Sequence, residues 1–303
     1  VSVTVTPYDS IPFPEDLASL GERSRAADGE PPFSDQTLVD LRSGREGVTC
    51  VAATDGDDLV GAAVVVPQQD AASTFTVELT VDPAHRDRGI ATAIAGQLRA
   101  AVDGTVEAWA HGNQPAAQRL AELYSLTPVR DLLQLRRTVA DASDVPLEVS
   151  LPDGVEIRPF EVGRDEQAWL RVNAAAFAEH PEQGRITLAD LQEREGEPWF
   201  DARGFLLAVE SQEPDGVLGF HWTKVHPASG DSPALGEVYA VGVDPSRQGG
   251  GLGRALTAAG INHLAEQGLR DVMLYVDADN SAAVALYESL GFEHWHVDVM
   301  YRS

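Results

Sequence analysis

One segment of this 303-residue chain is written twice. Val81–Ile94 reads VDPAHRDRGIATAI, and Val241–Leu256 reads VGVDPSRQGGGLGRAL. In each, Val-Asp-Pro closes an apolar stretch, a basic turn containing glycine follows, and an apolar-patterned segment begins. Gly251 lies 162 residues after Gly89, too far for a solenoid repeat and about the length of a domain. The likeness continues downstream. Val106–Ala110 and Asp271–Val276 both read as short apolar strands, and PAAQRLAELYSL (Pro115–Leu126) echoes SAAVALYESLGF (Ser281–Phe292), both helical in pattern. Between the copies, VADASDVPLEVSLPDG (Val139–Gly154) is acidic and proline-interrupted, the composition of a linker. Residues 1–140 and 153–303 are therefore expected to be two copies of one domain, joined through 141–152.

Within the second copy, strands are expected over Val155–Pro159, Gly204–Val209, Val217–Val225, Glu237–Val243, Asp271–Val276 and Phe292–Tyr301. Helices are expected over Arg164–Ala178, Thr187–Glu195, Gly251–Gln267 and Asn280–Leu290. An antiparallel meander followed by an α/β crossover gives an α/β fold of the α+β kind, a mixed sheet with helices on both faces.

Composition bounds the function. Hydrophobic residues make up 43% and charged residues 23% of the chain, as in a soluble globular protein. The net charge of −26 repels polyphosphate and anionic surfaces, so nucleic acid and membrane are not expected partners. The single cysteine, Cys50, allows no intrachain disulfide. The Val1–Tyr8 start alternates like a strand and lacks the layout of a signal peptide, so a cytoplasmic location is expected; a monomer is expected as well. Of 22 basic residues only Lys224 is lysine.

A strand, a glycine-rich turn and a helix leave backbone N–H groups uncovered next to the positive end of a helix dipole, a pocket for phosphate oxygens. The lysine of a P-loop is missing, and so is the glycine spacing of a dinucleotide fold. What stands here is Gln248-x-x-Gly251-x-Gly253 and, earlier, Arg86-x-x-Gly89-x-Ala91.

This pattern resembles the acetyl-CoA pyrophosphate loop of the GNAT N-acetyltransferases. Asn280-x-x-Ala283-x-x-Leu286-Tyr287-x-x-x-Gly291-Phe292 resembles that family's second CoA motif. The blocks NAAAFAEHPEQG (Asn173–Gly184), EPWFD (Glu197–Asp201), GFHWTKVHP (Gly219–Pro227) and GEVYAVGVDP (Gly236–Pro245) narrow the likeness. They resemble the tandem GNAT enzymes of actinobacteria that acetylate the cysteinyl amine of a glucosamine–inositol conjugate.

The resemblance implies acetyl-CoA as co-substrate, no metal, and a strand that splays at a bulge so that backbone near Val241 and Val243 holds the acetyl and pantetheine arm. It assigns the CoA site to Val241, Gly242, Val243, Gln248, Gly249, Gly250, Gly251, Leu252, Gly253 and Arg254, with Asn280, Ser281, Ala282, Ala283, Val284 and Ala285. The matching first-half positions are Leu79, Thr80, Val81, Asp87, Arg88, Gly89, Ile90, Ala91 and Thr92. Relatives usually carry arginine where Gly249 and Gly250 stand, with Arg247 and Arg254 available to compensate, and Asp87 would repel phosphate in the first loop.

Glu237 matches the family's general base, against a plain reading as a solvated strand carboxylate. Tyr287 matches the general acid, against a buried helix tyrosine with a satisfied hydroxyl. Glu237, Lys224, Glu182, Tyr275 and Asp35 match substrate positions, although a helix cap explains Asp35 equally well. His221 and His226 form no metal-site pattern. With the copies aligned on Val-Asp-Pro, Glu237 falls opposite Phe75; aligned on the later helices, Tyr287 falls opposite Ala121. The first half is thus expected to fold alike and do no transfer. Acetylation of another amine, on a protein N-terminus or an aminoglycoside, and a non-catalytic CoA-binding role are the alternatives.

Overall fold

The computed structural model describes residues 3–10, 14–68, 73–139, 146–178, 183–228 and 233–303. Two compact units result: Val1–Leu133 with Asp277–Asp279 and His296–Ser303, and Gln134–Val276 with Asn280–Trp295. No described helix is long and apolar enough to cross a membrane.

Unit 1 runs β1 (Thr4–Tyr8), α1 (Pro14–Asp28), α2 (Asp35–Ser43), β2 (Thr49–Asp55), β3 (Asp58–Pro67), β4 (Thr74–Val81), α3 (Ile90–Ala101), β5 (Thr105–Ala110), α4 (Pro115–Leu123) and the start of β6 (Thr127–Thr138). The first four strands form an antiparallel meander, and β5 joins β4 in parallel. Unit 2 takes the end of β6 and continues with β7 (Val155–Pro159), α5 (Glu166–Ala176), α6 (Leu188–Glu195), β8 (Phe205–Glu210), β9 (Glu213–His226), β10 (Leu235–Val243), α7 (Leu252–Glu266), β11 (Asp271–Asp277), α8 (Ser281–Ser289) and the start of β12 (Glu293–Arg302). Its meander is β7–β8–β9–β10, with β11 parallel to β10.

The compact units differ from contiguous halves chiefly in that the last strands are exchanged. In unit 1 the antiparallel neighbour of β5 is β12, with Val299 opposite Ala110 and Arg302 opposite Glu107. In unit 2 the strand beside β11 is β6, where the Thr138 hydroxyl donates to Asp271 at 2.7 Å. Both strands are half-buried and of similar length, so either can complete a parallel β–α–β edge.

Each sheet is covered by helices whose apolar stripes suit their strands. In unit 2, Trp169 and Val172 on α5 and Leu191 on α6 pack on Phe205, Phe220 and Trp222. The rings of Phe205 and Trp222 stack at 4.3 Å, and Trp169 meets Phe205, Phe220 and Trp222 edge-on. On the other face, Leu252 and Leu256 of α7 pack on Ala208 and Leu218. His221 also lies on that face between two core aromatics of β9. It is fully buried, with Nδ1 2.8 Å from the Leu256 carbonyl, and burial holds it down at about 4. Unit 1 builds its core from smaller residues, chiefly Val and Ala of β2 and β3 with Ile90, Ile94 and Leu98 of α3.

Candidate active site

The duplicated turn has one backbone conformation in both places. Asp82 and Asp244 open it at φ/ψ −46/127 and −48/126, and each side chain accepts from the N–H two residues on, at 2.9 and 2.8 Å. Gly89 and Gly251 close it at 76/9 and 80/−1, immediately before α3 and α7. These left-handed values suit only glycine well. The side chains of Arg86 and Gln248 both fold back on the preceding strand, donating to the carbonyls of Val81 at 3.1 Å and Val243 at 3.3 Å. They brace the turn. Arg88 donates to the Ala84 carbonyl, Arg247 pairs with Glu210, and Arg254 donates to Ser289 at 2.6 Å.

The site above each turn is open. A Cβ built on Gly89, Gly249, Gly250 or Gly251 meets nothing within 4 Å. The β10–β11 ladder covers only Gly236–Val238, and the β4–β5 ladder only Thr74–Glu78. Val241, Gly242 and Val243, and likewise Leu79, Thr80 and Val81, lie beyond the ladder on the edge leading into the turn. Uncovered strand edge, open turn and helix N-terminus together fit the amide-rich arm and phosphates of a CoA thioester. Ile90 and Leu252 are buried and anchor their helices, while Ala91, Thr92 and Gly253 follow in the first turn. Asn280 caps α8: its side chain accepts from the Ala283 N–H at 3.2 Å. Ser281, Ala282, Ala283, Val284 and Ala285 form the first turns of that helix.

The two turns differ in backbone demand two residues before the closing glycine. Gly249 has φ 83, and Asp87, its counterpart, is forced to φ 60. A non-glycine residue there is strained, and it carries a negative charge.

The strands before the turns differ more. Against β9, β10 slips register between Val238 and Ala240, leaving Tyr239 as a bulge; β4 runs against β3 without interruption. The extra residue shifts the internal correspondence by one. Glu237 faces Lys224 on β9 and Met273 on β11, the places that Val66 and Glu107 occupy around Thr76. Thr76, and not Phe75, is the counterpart of Glu237; the alignment on Val-Asp-Pro could not see the bulge. Ala121 remains the counterpart of Tyr287, since α4 and α8 match end to end.

Glu237 is 5% exposed, so it is not a solvated strand carboxylate. Its Oε2 lies 2.6 Å from Nε2 of His226. Lys224, 6% exposed, sits with Nζ 4.8 Å from the Trp199 ring centroid and 5.5 Å from that of Tyr239. This cation–π site leaves it no surface lysine. Tyr275, two residues along β11 from Met273, shares the sheet face of Glu237. Its hydroxyl accepts from Gln134 at 3.1 Å. Glu237, Lys224, Tyr275 and His226 thus stand on one face of unit 2. Tyr287, on α8, is partly buried against Phe292, and burial pushes its phenol up to about 12. Asp35 belongs to unit 1 as the exposed first residue of α2; the cap is Ser34, whose hydroxyl accepts from Thr37. Glu182 lies outside the described residues. Among the described residues no group of three or more His, Cys, Asp or Glu is arranged to hold a metal ion.

Two features escaped the sequence. His226 meets Glu237 only because the ladder sets them diagonally across two strands. In unit 1, His111 bridges Glu78 at 2.9 Å and Asp298 of β12 at 2.7 Å. Burial opposes its charge, but the two carboxylates win and raise it to about 10.

The model of the acetyltransferase (GNAT) family matches residues 16–124 and 169–292. The chain is 84% identical to a mycothiol acetyltransferase of Kocuria rhizophila, with all of both chains covered. It is 49% identical to one of Thermobispora bispora, over 100% of this chain and 98% of the other. A solved tandem GNAT protein from the clavulanic acid biosynthesis pathway aligns over 100% of this chain and 98% of its own, at TM-score 0.74 and 19% identity. A GCN5-related N-acetyltransferase from Sphaerobacter thermophilus aligns over 99% and 95%, at TM-score 0.72 and 23% identity. These two likenesses concern the fold.

Proposed function

The chain belongs to the acetyltransferase (GNAT) family, and from that membership we propose that its second half acetylates the cysteinyl amine of a glucosamine–inositol conjugate, yielding mycothiol. The observation that carries the choice of substrate is the 84% identity, end to end, to a mycothiol acetyltransferase.

Acetyl-CoA, the family's co-substrate, supplies the acetyl group and departs as a thiolate. The backbone of Val241–Val243 and the turn through Gly249, Gly250 and Gly251 would hold it, in keeping with their open surroundings. An ammonium has no lone pair, so a base must first take its proton. Glu237 fills that role: it is a buried carboxylate on the strand that leads to the cradle. Tyr287, pushed up to about 12, keeps its proton at neutral pH and gives it to the departing sulfur. Lys224 and Tyr275, on the face of Glu237, bind hydroxyls of the sugar and inositol; Asp35 and Glu182 remain further substrate contacts of the same reading. The first half has the cradle but Thr76 and Ala121 in place of base and acid, and so binds at most.

The test is turnover by the full-length protein with acetyl-CoA and the cysteinyl–glucosaminyl–inositol conjugate, with CoA and acetylated product quantified by chromatography. Equal release of both is expected. No turnover of this amine, or faster turnover of an aminoglycoside or an N-terminal peptide, overturns the substrate assignment.

A further inference from the structure

We propose that His226 is a positioning residue for the transfer: its Nε2–H fixes the Glu237 carboxylate in the orientation that receives the amine proton. The proposal rests on the reading of Glu237 as the base.

The contact is short, 2.6 Å between Nε2 and Oε2. An ionised carboxylate only accepts, so Nε2 is the nitrogen that carries the proton. Bonds of this charged kind are stronger than neutral ones. One lone pair of one oxygen is thereby engaged, and a carboxylate has further acceptor sites for the amine. The geometry follows from the ladder. Lys224 is directly opposite Glu237, and His226 opposite Leu235, so His226 reaches Glu237 diagonally on the same face. The Lys224 ammonium is placed by Trp199 and Tyr239. The His226 side chain is 25% exposed and the Glu237 carboxylate 7%; the ring therefore forms the outer wall of the base and sets its rotamer from the solvent side.

The duplication supplies an internal control. In unit 1 the position of His226 is held by Gln68 and that of Glu237 by Thr76. The diagonal contact persists there: the Gln68 amide donates to the Thr76 hydroxyl at 3.3 Å and to Glu107 at 2.6 Å. A side-chain donor thus stands at this place in both units, an amide beside Thr76 and an imidazole beside Glu237. The imidazole stands where the base stands, and where the base is absent an amide replaces it. A glutamate has three side-chain torsions, and misplacement by about 1 Å can cost about a hundredfold in rate.

The test uses full-length His226→Phe, His226→Gln and Glu237→Gln proteins. Steady-state kinetics are run in both substrates, with thermal melts and calorimetric CoA binding. His226→Phe is expected to lower kcat by about ten- to a hundredfold, with KM for acetyl-CoA and CoA affinity unchanged. His226→Gln, which keeps an N–H donor as unit 1 does, is expected to regain most of the loss. Wild-type kcat in folded His226→Phe, or a His226→Gln protein as slow as His226→Phe, overturns the proposal. Should His226→Phe not fold, His226→Ala takes its place under the same outcomes. If Glu237→Gln itself turns over at the wild-type rate, it is the reading of Glu237 as the base that fails.

Discussion

At the scale of single residues, two substitutions separate chemistry from architecture. Tyr287→Phe keeps the ring against Phe292 and removes only the hydroxyl proton. Turnover is expected to fall by about 10²–10⁴-fold with an unchanged melt; a variant transferring at full rate would remove Tyr287 from the mechanism. Asp87 makes the opposite case. It sits at φ 60 in the first turn, where Gly249 stands in the second. Asp87→Gly relieves a left-handed strain of about 1 kcal/mol and takes a negative charge away from the cradle. Measured by calorimetry in a Gly251→Asp background, where the second cradle is blocked, CoA binding to the first is expected to tighten several-fold. Unchanged binding would mean that charge and strain at Asp87 do not limit the first site.

At the scale of elements, the packing of α7 on β9 is set by one glycine. A Cβ on Gly260 would lie 2.0 Å from the His221 ring. Alanine is ordinarily the better helix former by about 1 kcal/mol, yet Gly260→Ala is expected to destabilise by about 1–3 kcal/mol, read from denaturation midpoints. A Gly260→Ala/His221→Ala double variant should lose less than the two single losses added together. Such detail was not legible in the sequence, although the elements themselves were. The helix expected over Gly251–Gln267 is Leu252–Glu266, and the strand expected over Glu237–Val243 is Leu235–Val243. Periodicity, capping glycines and the Val-Asp-Pro closures fix such boundaries locally. A bulge on this strand was expected from the family resemblance, but its place at Tyr239 was not legible, because one inserted residue leaves no mark on an alternating apolar strand. It moved the counterpart of Glu237 from Phe75 to Thr76. The His226 contact was hidden for the same reason, since it depends on register. The motif residues of the turns were found because glycine at positive φ is a local demand; the partners of Glu237 come from other strands.

At the scale of the molecule, the exchanged strand β12 is bound into unit 1 by polar groups as well as by its ladder. Arg302 donates to Glu107 at 2.8 Å, and Asp298 accepts from the Gly112 N–H at 2.7 Å and meets His111. His111 has its folded value raised to about 10 from an ordinary 6.5. Its contribution to stability is therefore complete below about 6.5 and lost as pH rises through about 10. Thermal melts between pH 7 and 10.5 should show that loss in the wild type, and a flatter profile from a lower starting point in His111→Gln. Deleting His296–Ser303 should raise amide exchange in β4 and β5 while β8 and β9 stay protected; uniform exchange would show that unit 1 does not depend on the strand. The exchange also sets a timetable. A ribosome delivers β5 long before β12, so the first unit emerges with an open strand edge that β12 fills only after it has left the tunnel. Such an edge invites pairing with other nascent chains. Translation that stops short of the last strand therefore leaves its defect in the part of the protein that was made first.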